Sequence, residues 1–186
     1  MRWFFNVAKA VLLLALLLSA IGLWLPAQRQ VERSRELAAP VSMIWPWLVE
    51  PRRWQAWSPW VARDPAMTLR YSGPASGVGA EWSWDSRTLG HGQARLVEAQ
   101  PPLLRFEMLF DGLVAVSSLE LTPLGANATR VVWRIDADLG YNPVARWFGL
   151  MLDRMVGPDL DEGLARLASQ VGPSAATPPR LRPSPS

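Results

Sequence analysis

From Ala10 to Ala27 the chain carries no charge, and apart from Ser19 the run is almost wholly apolar, with leucine at 12 to 14, 16 to 18, 23 and 25. As a helix this run is about 27 Å long, close to the hydrocarbon thickness of a bilayer. Trp3 and Trp24 sit near its two ends, where an indole ring favours the headgroup level. Lys9 can snorkel outward, which lets Phe4 to Ala8 join the span, and Pro26 ends the helix. The competing reading is a cleaved secretory signal, with Arg2 and Lys9 as its basic start and Leu18-Ser19-Ala20 or Leu25-Pro26-Ala27 as its cleavage site. The apolar run is longer than the usual signal core, and neither site has the small-x-small pattern. A retained single-pass anchor over residues 1–28 is therefore the preferred reading. Arg2, Lys9 and the terminal amine flank one side and Arg29, Arg33 and Arg35 the other, so the positive-inside count is nearly balanced. The orientation adopted is N-terminus inside, with the soluble domain extracytoplasmic.

The rest of the chain is long enough for one domain with a sizeable core. With no cysteine in 186 residues there is no disulfide framework, thiolate metal site or cysteine nucleophile, and His91 is the one histidine. The formal charge of +3 suggests a nucleic acid partner until its position is considered. All 16 acidic residues lie between Glu32 and Glu162, and the stretch from Arg29 to Arg166 sums to −1. The surplus belongs to Arg2, Lys9, Arg180 and Arg182 at the ends. A domain without a dense basic stripe is not expected to bind phosphate backbones.

After the anchor, the pattern is mixed. Pro40 to Glu50 reads as a short helix with Pro40 at its first position and a kink at Pro46, and Pro51 to Trp57 as a further turn or helix. A weak strand over Val31 to Leu37 precedes them. Period-2 stretches follow at Met67 to Tyr71, Gly79 to Asp85, Gly92 to Ala99, Leu103 to Phe110, Leu113 to Leu121 and Thr129 to Ala137. Ser72-Gly73-Pro74, Pro101-Pro102, Asp111-Gly112 and Gly125-Ala126-Asn127 supply turns between them. Pro143 to Ala168 has a helical period through Val144, Trp147, Met151, Met155, Leu160, Leu164 and Leu167, with a bend expected at Gly157-Pro158. The proline-rich remainder, residues 172–186, cannot build a core and is expected to be disordered.

This order predicts an α+β fold: a curved antiparallel sheet of seven strands around a long C-terminal helix, with the domain occupying residues 29–171. Strand parity sorts the two faces. Trp82 and Trp84 oppose Glu81, Ser83 and Asp85; Leu104, Phe106, Met108 and Phe110 oppose Arg105 and Glu107; Val131, Trp133 and Ile135 oppose Arg130, Arg134 and Asp136. The helix is expected to meet the apolar face with Trp147, Met151 and Met155.

The chain also carries Trp54-Gln55-Ala56-Trp57-Ser58-Pro59-Trp60, Asp64-Pro65, Tyr71-Ser72-Gly73-Pro74, Gly90-His91-Gly92, Asn142-Pro143 and Met155-Val156-Gly157-Pro158-Asp159. Taken together these motifs resemble those of membrane-anchored members of the SRPBCC superfamily. That group includes START-related proteins, the polyketide cyclase/dehydrase and lipid-transport proteins, and the birch-pollen allergens. The resemblance covers about Val31 to Leu167. It implies a helix-grip fold with a cavity for a hydrophobic ligand between sheet and helix. The chain departs from the pattern at Arg35, Glu36, Ala38 and Pro46, which bear on how the first strand and helix close one end of the cavity.

The expected ligand-binding residues are Trp82, Trp84, Phe106, Met108, Trp133, Trp147, Met151 and Met155; the plainer alternative is that they fill a core. Trp54, Trp57 and Trp60 form either a membrane-facing lip or a structural cap over the sheet end. His91 shares the parity of Gln93 and Arg95 and reads as an exposed residue. No catalytic residue, metal site or cofactor is assigned, because no metal-ligand spacing, phosphate loop, nucleophile elbow or dinucleotide fingerprint appears. The reading that results is a membrane-tethered protein that binds or transfers a lipid, quinone or polyketide-like molecule. A cyclase or dehydratase using the same cavity and a non-catalytic regulatory partner protein are the alternatives, and the oligomeric state stays open.

Overall fold

The computed structural model describes residues 2–110 and 113–172. The tail expected to be disordered lies outside these residues except for Gly172, and so does the Asp111-Gly112 turn. The helix α1 (Arg2–Trp24) leads through three residues into β1 (Gln28–Leu37). The helices α2 (Val41–Val49), α3 (Trp54–Trp57) and α4 (Pro59–Arg63) follow, with a 3-10 turn at Pro51–Arg53. Then come β2 (Thr68–Ser72), β3 (Glu81–Ser86), β4 (Gly90–Gln100), β5 (Leu103–Phe110), β6 (Leu113–Pro123) and β7 (Thr129–Asp138). The helices α5 (Pro143–Gly149) and α6 (Leu152–Val171) end the described chain.

All seven strands form one antiparallel sheet in the order β1-β7-β6-β5-β4-β3-β2. Each of β2 to β7 pairs with its sequence neighbour, as short connections require, and β1 closes the far side against β7. The polar residues of β1 do not weaken this edge. Glu36 pairs with Arg130 at 2.8 Å and Glu32 with Arg134 across the outer face, while Val31 and Leu37 are buried on the inner one. The helix-grip architecture expected from the sequence is present.

The last helical stretch divides differently from the expectation. It breaks at residues 150–151, where Leu150 N bonds Trp147 O at 3.2 Å and Met151 N bonds Phe148 O at 2.9 Å, a tightened final turn. The helix α6 then continues through Pro158, losing only the bond that a proline nitrogen cannot donate. The face that α6 lays on the sheet is Leu160, Gly163, Leu164 and Leu167, all buried, one to three turns beyond Met155. Trp147, Met151 and Met155 do not meet the sheet as expected; they are at least one-third exposed.

Tryptophans fill the interior between α6 and the sheet. The Trp54 and Trp57 rings lie 4.7 Å apart, Trp54 lies 5.0 Å from Phe106 and 5.2 Å from Trp82, and Trp57 lies 5.4 Å from Trp133. Their polar edges are satisfied in a specific way: Trp54 Nε1 donates to Leu48 O at 2.9 Å and Trp57 Nε1 to Trp47 O at 3.2 Å. Those carbonyls belong to the last turn of α2, which has no helical donors of its own. The Trp133 indole donates to Ser117 Oγ at 2.9 Å, and the Ser117 hydroxyl in turn donates to Arg134 O at 3.1 Å. Trp60 Nε1 donates to Asp159 Oδ2 at 3.0 Å, and Arg63 closes on the same carboxylate, so α4 is clamped to α6. Of the two readings of this tryptophan cluster, the structural cap fits; Trp54 and Trp57 are buried and form no lip.

In the same half of α6, Arg33 of β1 donates to Asp153 Oδ1 at 2.9 Å and Asp161 Oδ2 at 3.1 Å. Its guanidinium lies across Gly157, where a Cβ would come within 2.0 Å of it. The hydrogen bond from Arg33 holds the Asp153 carboxyl below the usual carboxylate range.

Three outcomes are expected. A Cβ at Gly163 would lie 2.6 Å from the Trp133 ring and 3.2 Å from Pro59. Gly163→Ala should therefore destabilise the fold by about 1–3 kcal/mol through overpacking. Trp133→Ala should cost about 3–5 kcal/mol through cavity formation, both read from denaturation of the purified chain in detergent. Because folding depresses the Asp153 pKa, the pair with Arg33 stabilises above the unfolded-state carboxylate value, and that contribution disappears as pH falls through the folded value. Asp153→Asn should lower the melting temperature at neutral pH, with the gap to the parent closing in acid; a gap that widened in acid would contradict the assignment.

Candidate functional site

Cross-strand register lays the inner face of the sheet out in rows. One row runs Leu96, Phe106, Ser117, Ile135, Val31, in the half covered by the tryptophans and α6. The next, one step toward α1, runs Tyr71, Trp82, Ala94, Met108, Ala115, Ala137, Arg29. A third runs Leu69, Trp84, Gly92, Phe110, Leu113. The three alanines and the glycine remove side-chain volume from the centre of the sheet in the second and third rows.

The eight residues expected to form one lining therefore separate into three sets. Trp82, Phe106 and Trp133 pack into the tryptophan cluster against Trp54 and Trp57. Trp84 and Met108 stand in the half nearer α1, partly buried against the edge of the core. The Trp84 ring stacks on Phe110 with centroids 6.2 Å apart and planes 18° from parallel. It lies over Gly92, where a Cβ would be 2.3 Å from it. Trp147, Met151 and Met155 belong to the helical side, with Trp147 turned to α1: its Nε1 donates to Leu18 O at 3.0 Å.

The expected ligand-binding set leaves out three residues of this half, although parity already puts Phe110 on the apolar face. Phe110 and Leu113 flank the β5–β6 turn, and Leu113 packs against the core edge. Arg29 was counted only as a flanking charge. It lies on the inner parity of β1 with Val31, opposite Ala137, and its Cγ would be 3.1 Å from a Cβ placed on Gly149 of α5. Its Nε is buried and has no hydrogen-bond partner among the described residues. The signal that could have found it is the alternation Arg29, Val31, Arg33 within β1, a strand whose register sequence alone does not fix.

The inner face carries little proton-transfer chemistry. On β3 to β7 the inward positions hold no Asp, Glu, His, Lys or Arg, and the buried Ser117 hydroxyl is committed to Trp133 and Arg134. Tyr71 closes one end of the middle row under Arg52, whose guanidinium carbon lies 4.5 Å from the ring centroid. Burial pushes its phenol above the usual tyrosine value, although the Gln55 hydrogen bond at 2.8 Å acts in the opposite direction. Polar chemistry is concentrated on the outer face. There Arg70, Ser83, Asp85, His91 and Gln93 border an open depression of about 490 Å³, and His91 faces Asp85 across the β3–β4 ladder. His91 is exposed, as its parity predicts. Among the described residues no three His, Asp or Glu side chains converge in a way that would hold a metal ion.

Gly92→Ala should eject the Trp84 ring from its seat and abolish the near-ultraviolet signature of the Trp84–Phe110 stack; an unchanged near-ultraviolet spectrum would show that the ring does not rest there.

A family model described as polyketide cyclase / dehydrase and lipid transport matches residues 28–172. A search of curated proteins finds no match. A protein from Chromobacterium violaceum superposes with a TM-score of 0.57 at 17% identity, over 78% of this chain and 99% of its own. The Zhui aromatase/cyclase from a Streptomyces species gives 0.56 at 16% identity, over 77% and 93%. Truncated norcoclaurine synthase from Thalictrum flavum gives 0.55 at 14% identity, over 77% and 93%. At these identities the likeness is one of fold.

Proposed function

We propose, for a chain that belongs to the polyketide cyclase/dehydrase and lipid-transport family, that it is a membrane-tethered protein that binds or transfers an apolar small molecule such as a lipid, quinone or polyketide-like compound. The site is the half of the inner face nearer α1, with Trp84, Met108, Phe110 and Leu113 on the sheet and Met151 and Met155 at the helical margin. The observation that carries this reading is the chemistry of the inner face. Five consecutive strands present apolar or small side chains with no inward acid or base, which suits partition of a greasy body better than proton transfer. Arg29, with its unsatisfied buried nitrogen at the end of the alanine row, supplies one polar contact for an acidic or carbonyl head group.

Tethering is supported by one helix, Trp3–Trp24, long and apolar enough to cross a membrane, whose side chains are almost all exposed. Its C-terminal end is integrated into the domain. Arg146 of α5 donates to Leu23 O and Leu25 O, and Leu139 N bonds Ala27 O at 2.8 Å. Cleavage after Ala27 would strip Leu23 and Leu25 from a buried arginine, which speaks against that site; cleavage after Ala20 would leave both carbonyls in place but remove Leu18, the acceptor of the Trp147 indole. The domain is proposed to lie on the extracytoplasmic side.

The test is mass analysis of molecules extracted from the full chain purified in mild detergent from its native host. An apolar compound should co-purify, and Met108→Trp and Arg29→Gln should each reduce its yield. Clean protein that also fails to bind added lipids and quinones would end this reading, and turnover of an added ligand into a new compound would transfer it to the cyclase alternative.

A further inference from the structure

Between Asp138 and Asp153 the chain has one charged residue, Arg146, and it is buried. Its guanidinium is consumed by backbone carbonyls of Gly140, Leu23 and Leu25. Beside the capping Asn142, the large side chains this segment exposes are apolar or aromatic: Tyr141, Val144, Phe148, Leu150 and Met151, with Val144 60% and Phe148 61% exposed. A water-facing helix end of this composition has no reason to turn its only charge inward.

The position of α5 says what covers this surface. It packs directly on α1: a Cβ on Gly22 would lie 2.8 Å from Pro143 Cβ and 3.0 Å from Trp147 Nε1, so only glycine admits this approach. The contact runs back along the anchor to Leu18, whose carbonyl accepts the Trp147 indole at 3.0 Å. Leu18 precedes the last residue of α1 by six positions, which at 1.5 Å per residue is about 9 Å along the axis. Any element held beside Leu18 lies at that depth from the end of the span. The backbone of α5 is prepared for such a place. Pro143 needs no donor bond, and Asn142 Oδ1 accepts from Val144 N at 2.9 Å and Ala145 N at 3.3 Å, so its first turn leaves few unsatisfied donors.

We infer that α5 is an interfacial helix: α1 holds it in the headgroup and upper acyl region of one leaflet, with Val144, Phe148 and Met151 in lipid. The depth of about 9 Å falls within the range of 5–10 Å to which amphipathic helices bury their apolar face. This inference rests on the reading of α1 as a membrane anchor and goes beyond it, because an anchor alone would leave the domain clear of the lipid. The margin of the candidate site at Met151 and Met155 then opens at the bilayer surface.

The chain has no cysteine, so a single introduced thiol reports one position. Phe148→Cys carrying an environment-sensitive fluorophore is placed in the full chain reconstituted into phosphatidylcholine vesicles, with Asn127→Cys in the β6–β7 turn, at the opposite end of the strands, as the reference. The label at 148 should emit at shorter wavelength and lose intensity when the lipids carry bromine on the upper acyl chain; the label at 127 should do neither. Gly22→Leu, which pushes Pro143 away from α1, should reduce the quenching at 148 while the protein remains in the membrane pellet after alkaline carbonate. A water-like emission at 148 in protein that resists carbonate overturns the interfacial helix and leaves the anchor standing. A blue shift without bromolipid quenching assigns the surface to a second copy of the chain and also overturns it. Release of the unlabelled protein by carbonate removes the anchor reading itself, and this inference with it.

Discussion

The interior is organised by two indole N–H groups that close the end of a helix. Trp54 and Trp57 donate to the open carbonyls of the last turn of α2, and in doing so they fix two large rings at the centre of the grip. Trp133, Phe106 and Trp82 then pack at ring distances set by that placement, and Gly163 of α6 exists where the Trp133 ring needs room. A polar debt at a helix terminus and a volume requirement in the core are met by the same side chains. This half of the fold is a solid support.

The other half has a different character. Small residues in mid-sheet, a tryptophan seated on a glycine and a half-buried arginine occupy the side from which α1 departs. Placing packing at one end and looseness at the other lets a small domain combine stability with an apolar surface that is not fully used by its own core. The polar cluster of Arg70, Asp85 and His91 is on the opposite parity of the same strands, and the depression it borders reaches the apolar rows only at Trp84 and Gly92.

Much of this was readable from the residues. Period-2 patterning located β2 to β7 to within a few positions, because their inner faces are largely apolar and glycine or proline marks their turns; β1, with Arg29, Arg33 and Arg35 on its inner parity, reads only as a weak strand from Val31. Parity sorted Trp82, Trp84, Phe106, Met108 and Trp133 correctly to the inner face. It failed at the helix: a continuous 3.6-residue pattern does not reveal that Leu150 and Met151 close a turn, and that break swings Trp147 toward α1 instead of the sheet. The division of the inner face into a filled and an open half was also hidden. It depends on Trp54 and Trp57, which sit on short helical turns with no period long enough to show which way they point.

Only Leu25, Pro26 and Ala27 separate the end of α1 from the first strand, and the bonds from Arg146 and Leu139 bind even these. A domain on a flexible stalk sweeps a volume and can hand its cargo to a distant acceptor. Here the body has no stalk and no such reach. If α1 spans a bilayer, every encounter, with a ligand or with an acceptor, is a two-dimensional event governed by lateral diffusion, and an acceptor must itself come to within a few ångströms of the same lipid surface.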